Sequence, residues 1–509
     1  MPTRNLRVAP VLPTVDPVLT ALATLRAEME IPAEFPPDVV EEASTAARAD
    51  VSAGREDLRD VPFVTIDPPG SMDLDQAVHL ERLPGGYLVR YAIADLAPFV
   101  TPGGALDAEV NERGMTLYGP DERTPLHPAV LSEAAASLLP AADRAAAVWH
   151  VTLDERGEIA DARVERALVR STARLTYEEV QARLDTGDAG PMLDLLREIG
   201  LLREARERAR GGVSLNVPEQ DVVAHEGGSF GLEFRSTLPV EGWNAQISLL
   251  TGIAAARIMR SGGVGIFRTL PAADPRDLER LRRTAGALGI DWPRQVSYGE
   301  LLATLDSASP RHAAFLNEAT SLFRGASYAP FGGTGQPAEV PDDVAHAAIA
   351  AEYAHVTAPL RRLVDRYGTE ICLALCAGED VPLWVRDALP GLPRTMARTG
   401  QRAGSYERAS VDIVEAALLT GRVGDVFDAV VVDVENDEER RRRAARKTGE
   451  ATADAPTPDG QDLVRGQVVI VDPAVRASVE GVDLPLGDPV RVRLREASIE
   501  RRRVDFELA

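Results

Sequence analysis

Three aspartates, Asp67, Asp73 and Asp75, fall within nine positions in the segment TIDPPGSMDLDQ (65–76). They follow directly on the apolar run Val61-Pro62-Phe63-Val64, which reads as a buried strand. Carboxylates gathered beside a buried strand repel one another and lose hydration, a cost that an opposite charge must offset. A hard divalent cation takes oxygen ligands of this kind and keeps open positions for a substrate phosphate. The competing reading is an acidic turn, because Pro68, Pro69 and Gly70 are turn formers and the chain is rich in acid, with 79 Asp and Glu. Spacing alone leaves both readings open. A calcium EF-hand loop is disfavoured, since its glycine and closing glutamate are not at the required offsets.

A second segment with chemical potential is EYAHVTAPLRRLVDRYG (352–368). Thr357 and Pro359 predict a helix start, with Arg361 and Arg362 in its first turn. Cations are unfavourable at the positive end of a helix dipole unless an anion such as phosphate is the intended occupant. Asp365 follows Arg361 by four residues, placed to hold it. A plain surface ion pair explains the same spacing.

The elements that must position these residues divide the chain into three expected parts. Residues 1–50 read as an N-terminal arm with short helices, DPVLTALATLRAEME and PPDVVEEASTAARAD. Residues 51–420 read as the main domain, with strands at Val61–Ile66, Gln76–Leu83 and Gly86–Ile93 and a Pro-Gly-Gly turn between the last two. Helices dominate from about 170 to 420; one opens at Thr176, where Thr176 and Glu179 have capping-box spacing. From 421 to 509 the pattern is β: VFDAVVVDVE (426–435), GQVVIVDPAVRASVEG (466–481) and DPVRVRLREASIERRRVDFEL (488–508) suit an OB-like barrel, a common binder of single strands. A charged loop near 436–463, without apolar periodicity, is expected to be disordered. The expected fold class is therefore α+β, a mixed sheet with packed helices followed by a C-terminal OB-like β-barrel.

Composition narrows the function. The 509 residues are 45% apolar, enough for a sizeable core, and carry a net charge of −23. Such a surface repels nucleic acid at long range, so any nucleic-acid site is a local channel and not a basic face. Lys447 is the only lysine, a pattern that a genomic bias toward GC-rich codons explains. The only cysteines, Cys372 and Cys376, lie a helical turn apart in an apolar stretch and read as free core thiols. His79, His127, His150, His225, His312 and His346 are scattered and form no ligand pair. No phosphate-cradling G-x-x-x-x-G-K loop exists. With no signal peptide and no apolar run of membrane-spanning length, a cytoplasmic protein that engages no membrane and acts as a monomer is expected.

Together the two segments resemble the ribonuclease II and R exoribonucleases, the RNB-domain family, in a short form without N-terminal cold-shock domains. The family's T-I-D-x5-D-x-D-D-A cluster reads TIDPPGSMDLDQA here, and its Y-x-H-F-T-S-P-I-R-R motif reads YAHVTAPLRR (353–362). IADLAPFV (93–100), ERGMTLYGP (112–120), RSTARLTYEEVQ (170–181), GGVSLNVPE (211–219), SLFRGASYAPF (321–331) and SYERASVDI (405–413) also look like family segments. The resemblance implies an RNB-type catalytic domain that hydrolyses single-stranded RNA from its 3′ end to nucleoside 5′-monophosphates, using magnesium with manganese as a possible substitute. Asp67, Asp73 and Asp75 match three of the four metal-site aspartates, and Arg361 the arginine at the scissile phosphate. Tyr118 matches the base-stacking tyrosine and Glu407 the glutamate at the terminal nucleotide; His355 and Arg362 would support RNA binding. Gln76 stands where the family has its fourth aspartate. Two consequences follow: a retuned site in which Gln76 holds metal or its water, or a catalytically weakened protein that still binds RNA 3′ ends. A metal-dependent phosphoesterase for small molecules is the reading from another class, and the terminal barrel argues against it.

Overall fold

One long strand organises the first half of the chain in the computed structural model, which describes residues 17–214, 219–224, 230–235, 237–306, 309–435, 463–470 and 472–509. The strands are β1 (Glu56–Asp57), β2 (Phe63–Asp67), β3 (Gln76–Leu83), β4 (Gly86–Ala94), β5 (Leu117–Tyr118), β6 (Arg123–Thr124), β7 (Asp143–Asp154) and β8 (Ile159–Thr176). β8 pairs antiparallel with β7 along Ile159–Arg170, then parallel with β2 along Ser171–Thr176. The sheet order β1-β8-β2-β3-β4-β7 thereby returns on itself. β2, lying between β8 and β3, is buried up to Asp67; the apolar run before the aspartates is what a doubly flanked strand requires.

Helices cover this sheet. The 24-residue helix Pro239–Gly262 packs against the helices Pro191–Ala209 and Leu363–Ala377. One core runs from Phe63, Val89 and Trp149 through Ile247 and Leu250 to Leu363 and Ile371. Between the helices passes the segment that leads to the arginines. A Cβ at Gly252 would lie 2.6 Å from the Ala354 carbonyl oxygen, and one at Gly368 2.9 Å from that of His355. Glycine at both positions lets the backbone lie directly on the helices.

Two antiparallel pairs follow, β9 (Glu219–Ala224) with β10 (Phe230–Arg235) and β11 (Gly265–Thr269) with β12 (Ser327–Phe331). The C-terminal strands β13 (Val426–Val434), β14 (Val464–Ile470), β15 (Val475–Gly481), β16 (Pro489–Ser498) and β17 (Arg503–Leu508) close a barrel in the order β13-β14-β15-β17-β16. Val431, Val468, Val479, Val492, Leu494 and Phe506 fill it, and Ile413, Val414 and Leu419 of the helix Leu392–Leu419 join the same core. The segments 466–481 and 488–508 each fold back into two strands or strand ends. The arm up to residue 16 and the charged segment 436–462 lie outside the described residues.

Three sequence expectations are corrected. The helix after the arginine motif begins at Leu363, so Arg361 and Arg362 precede it, Arg362 with extended backbone at φ −146. The cause is side-chain bonding to the preceding turn: Asp365 Oδ1 accepts from the Ala358 amide (2.7 Å) and Asp75 Oδ1 from that of Leu360 (2.7 Å). Asp365 holds Arg362, not Arg361. Cys372 is buried as expected, whereas Cys376 is exposed, because it falls at the end of the helix and beyond the face that meets the core.

Candidate active site

The acidic loop is built by the end of β2 and pinned from outside. Asp67 is the last residue of β2, in register with Thr176. The chain then turns at Gly70 (φ +82), with the Ser71 hydroxyl donating to the Pro68 carbonyl at 2.8 Å. Ser137 fixes the return: its hydroxyl donates to the Met72 carbonyl (2.6 Å) and accepts from the Leu74 amide (3.0 Å). β3 resumes immediately after Asp75.

Burial leaves these acids electrically incomplete. The Asp67 carboxyl is pushed up to about 7 by burial and by the negative charge of Asp73, against the opposing pull of Arg361 and Arg174. Its Oδ2 is buried without a hydrogen-bond partner among the described residues. Burial likewise drives Asp75 well above the carboxylate range, although Arg361 and the Leu360 amide oppose it. Asp73 is engaged by Arg123, whose Nη1 lies 2.5 Å from Oδ1 while Nη2 reaches Glu133 at 2.7 Å.

The arginine segment meets this loop. Arg361 Nε lies 3.4 Å from Asp75 Oδ2. Its position is set by a short bridge: the Thr116 amide donates to the Arg361 carbonyl and the Leu363 amide to that of Gly114, both at 3.0 Å. Tyr118 follows two residues after Thr116, and its hydroxyl is pushed up to about 12 by burial, within reach of the charges of Arg361, Asp73 and Asp75. The Arg361 side chain is 51% exposed while the Asp75 side chain beside it is 5% exposed, so a half-open guanidinium stands over a buried acid.

The remaining expected residues separate into two groups. Arg362 is clamped by the fully buried Asp365 (Nη2–Oδ1 2.7 Å). His355 shares a hydrogen bond with the Tyr328 hydroxyl (2.8 Å) and packs edge-on against Tyr328 and Tyr353; burial and Arg362 hold it neutral. Both shape the segment behind Arg361. Glu407 sits one residue after Tyr406, whose hydroxyl abuts Gly119 beside Tyr118 and accepts from Arg26 at 3.3 Å. Gln76 has both ends of its amide engaged: Nε2 donates to the Thr357 carbonyl (2.6 Å) and Oε1 accepts from the Tyr91 hydroxyl.

Oxygen donors, a buried carboxylate oxygen without a partner among the described residues and carboxyls lifted by burial fit a hard divalent cation. As the side chains lie, no three His, Cys, Asp or Glu among the described residues converge as a ligand set; Asp73 in particular is committed to Arg123. Sequence reasoning passed over Arg123, Arg174 and Tyr91. For Arg123 the signal was present: the hairpin around Gly119-Pro120 sets it directly across from Tyr118.

Fold and site together describe an α+β domain in which buried acids meet a half-exposed arginine, joined to a five-stranded barrel. Residues 55–374 match the RNB domain and residues 425–509 the RNase II-type exonuclease C-terminal S1 domain. The chain belongs to the RNB-domain family. It is similar to Ribonuclease R of Escherichia coli K12, 27% identical over 523 residues, covering 93% of this chain and 60% of that protein. Ribonuclease R of Aquifex aeolicus is 26% identical over 522 residues, covering 96% and 70%. The chain thus spans about 60% of the length of the first of these relatives. Among solved structures, Mycoplasma genitalium RNase R in complex with ribose-methylated single-stranded RNA superposes with a TM-score of 0.80 at 19% identity, covering 97% of this chain and 78% of that one. Yeast Ssd1, a pseudonuclease, gives 0.64 at 14% identity, covering 93% and 57%. One fold therefore serves both an RNase R and a pseudonuclease, and activity must be argued from the site.

Proposed function

We propose that the chain is a 3′-to-5′ exoribonuclease that hydrolyses single-stranded RNA to nucleoside 5′-monophosphates and depends on magnesium, which manganese can replace. The observation that carries this reading is the buried Asp67 Oδ2, without a hydrogen-bond partner among the described residues, beside a raised Asp75 that faces Arg361. Asp67, Asp73 and Asp75 would hold the cation, Asp73 after leaving Arg123. A cation held by these residues would supply Lewis acidity for activating a water and for offsetting charge on the leaving 3′ oxygen. Arg361 binds the scissile phosphate and neutralises charge that develops on it. Tyr118 offers a stacking face to a base, a sequence-tolerant contact that suits movement along any RNA. Glu407 accepts hydrogen bonds from ribose hydroxyls, the groups that distinguish RNA from DNA. Arg362, Asp365 and His355 keep the segment behind Arg361 rigid.

The test is a 5′-labelled single-stranded RNA incubated with protein over a magnesium and manganese titration, with Asp75→Asn in parallel. A ladder that shortens from the 3′ end and vanishes in the variant supports the proposal. Intact RNA at every metal concentration, with tight binding of the oligoribonucleotide, replaces it with the 3′-end-binding reading.

A further inference from the structure

Besides the bond between His127 Nδ1 and the Leu360 carbonyl (3.1 Å), the turn that carries Arg361 hangs on three side-chain contacts to its backbone. Asp365 takes the Ala358 amide and Asp75 the Leu360 amide, each at 2.7 Å. The third contact runs the other way, from Gln76 Nε2 to the Thr357 carbonyl at 2.6 Å. The Thr357 hydroxyl is also bonded to Ser248, at 2.8 Å. Behind Gln76, Tyr91 is 1% exposed and donates its hydroxyl to Oε1. The amide is therefore held from the sheet side by Tyr91 and grips the turn on the other.

The glutamine amide fills this place with both a donor and an acceptor. A carbonyl needs a donor, and an ionised carboxylate has none. An aspartate at 76 would also be one methylene shorter. The exchange of the family's aspartate for glutamine thus carries a geometric consequence besides the loss of charge.

We propose that Gln76 is a positioning residue that fixes the Thr357 carbonyl and so aims the Arg361 guanidinium, and that it does not ligate the cation. The inference deepens the exoribonuclease reading and rests on it. Removing the grip lets the turn shift, and a hydrogen bond in a supporting position of this kind is worth roughly 10–100-fold in activity. The loss must pass through Arg361, so it disappears in a protein that already lacks that arginine.

The experiment is a mutant cycle on the full chain: wild type, Gln76→Ala, Arg361→Ala and the double variant, with single-turnover cleavage of a short oligoribonucleotide as readout. Gln76→Ala is expected to lower the rate roughly 10–100-fold with thermal stability reported alongside, and to cost less than about threefold in the Arg361→Ala background. Tyr91→Phe, which leaves the turn's own residues intact, is expected to reproduce part of the loss. Gln76→Asp is expected to cut more slowly than wild type. Manganese binding without RNA, followed by electron paramagnetic resonance, is expected to change less than about twofold in Gln76→Ala and to drop at least about tenfold in Asp75→Asn. Full additivity with Arg361→Ala, a tenfold drop in manganese affinity for Gln76→Ala, or faster cleavage by Gln76→Asp would each overturn the proposal. Should wild type bind no manganese, the metal reading fails while the cycle still tests Gln76. Should it cut nothing, the same cycle on oligoribonucleotide affinity reads the coupling.

Discussion

The acidic loop and the arginine segment meet directly at Asp75, and each contributes a buried aspartate. Asp365 is wholly buried, and Asp75 is 4% exposed. Asp365 is saturated: it receives two nitrogens of Arg362 and the Ala358 amide. Asp75 receives one amide and a looser contact from Arg361 at 3.4 Å, and its carboxyl is driven upward by burial. Nearby Asp67 keeps an oxygen with no partner at all among the described residues. The same side chain serves the fold where its charge is matched and is available to a ligand where it is not. The arginines divide likewise: Arg362 is locked to Asp365 and Arg361 is half open to solvent.

Substitutions at the two acids should therefore fail in different ways. Asp75→Asn keeps the shape and removes charge from the reactive side; the expected result is a fall in cleavage rate of roughly 10³-fold or more with no fall in melting temperature. Asp365→Ala strands the Arg362 guanidinium and is expected to cost about 3–5 kcal/mol of stability, measurable by denaturant unfolding. A stable Asp365→Ala protein that merely cuts slowly would dissolve the distinction.

A good part of this arrangement is legible in the residues. β3 runs over Gln76–Leu83 as its alternation predicts, and the Thr176–Glu179 capping box starts the helix Tyr177–Thr186, because both are decided by local pattern. The Arg–Asp pairing is not local: i, i+4 spacing favours Arg361 with Asp365 only on a helix, and the turn held by Asp75 and Asp365 keeps both arginines off it. Tyr91 on Gln76 depends on the register of β4 against β3, which the sequence of one strand does not contain; the hairpin sets Arg123 opposite Tyr118, but its partner Asp73 lies in a separate loop that local pattern does not bring to it.

A third comparison concerns acid. His127 is 1% exposed, shares a hydrogen bond with the Leu360 carbonyl (3.1 Å) and is held down at about 4 by burial. Above about pH 6.5 it is neutral folded or unfolded and contributes nothing to pH dependence. As pH falls from there toward 4, the unfolded chain takes a proton that the folded one refuses, and up to about 3 kcal/mol of stability is lost. Leu360 adjoins Arg361, so this protonation acts on the arginine segment. His127→Gln is expected to flatten the decline in melting temperature between pH 7 and 5; a profile identical to wild type would place the acid sensitivity elsewhere.

The smallest effect separates the two regions most cleanly. The Asp67 carboxyl, lifted to about 7, keeps its proton in the folded protein across a range where the unfolded chain has released it. Stability contributed by this group accordingly falls as pH rises from about 4 to 7 and stays lost above. Asp67→Asn carries no charge to be buried, so at pH 8 with a chelator present it is expected to gain about 1 kcal/mol, roughly 2–4 °C in melting temperature. Part of that gain is offset because the amide leaves polar atoms facing the same partnerless position. Added magnesium should then raise the melting temperature of wild type and leave that of Asp67→Asn nearly unmoved, since a cation that binds the folded state alone stabilises it by mass action. A chelated wild type as stable as the variant would mean that Asp67 is already matched inside the protein, and the contrast between the matched arginine side and the unmatched acidic side would fall with it.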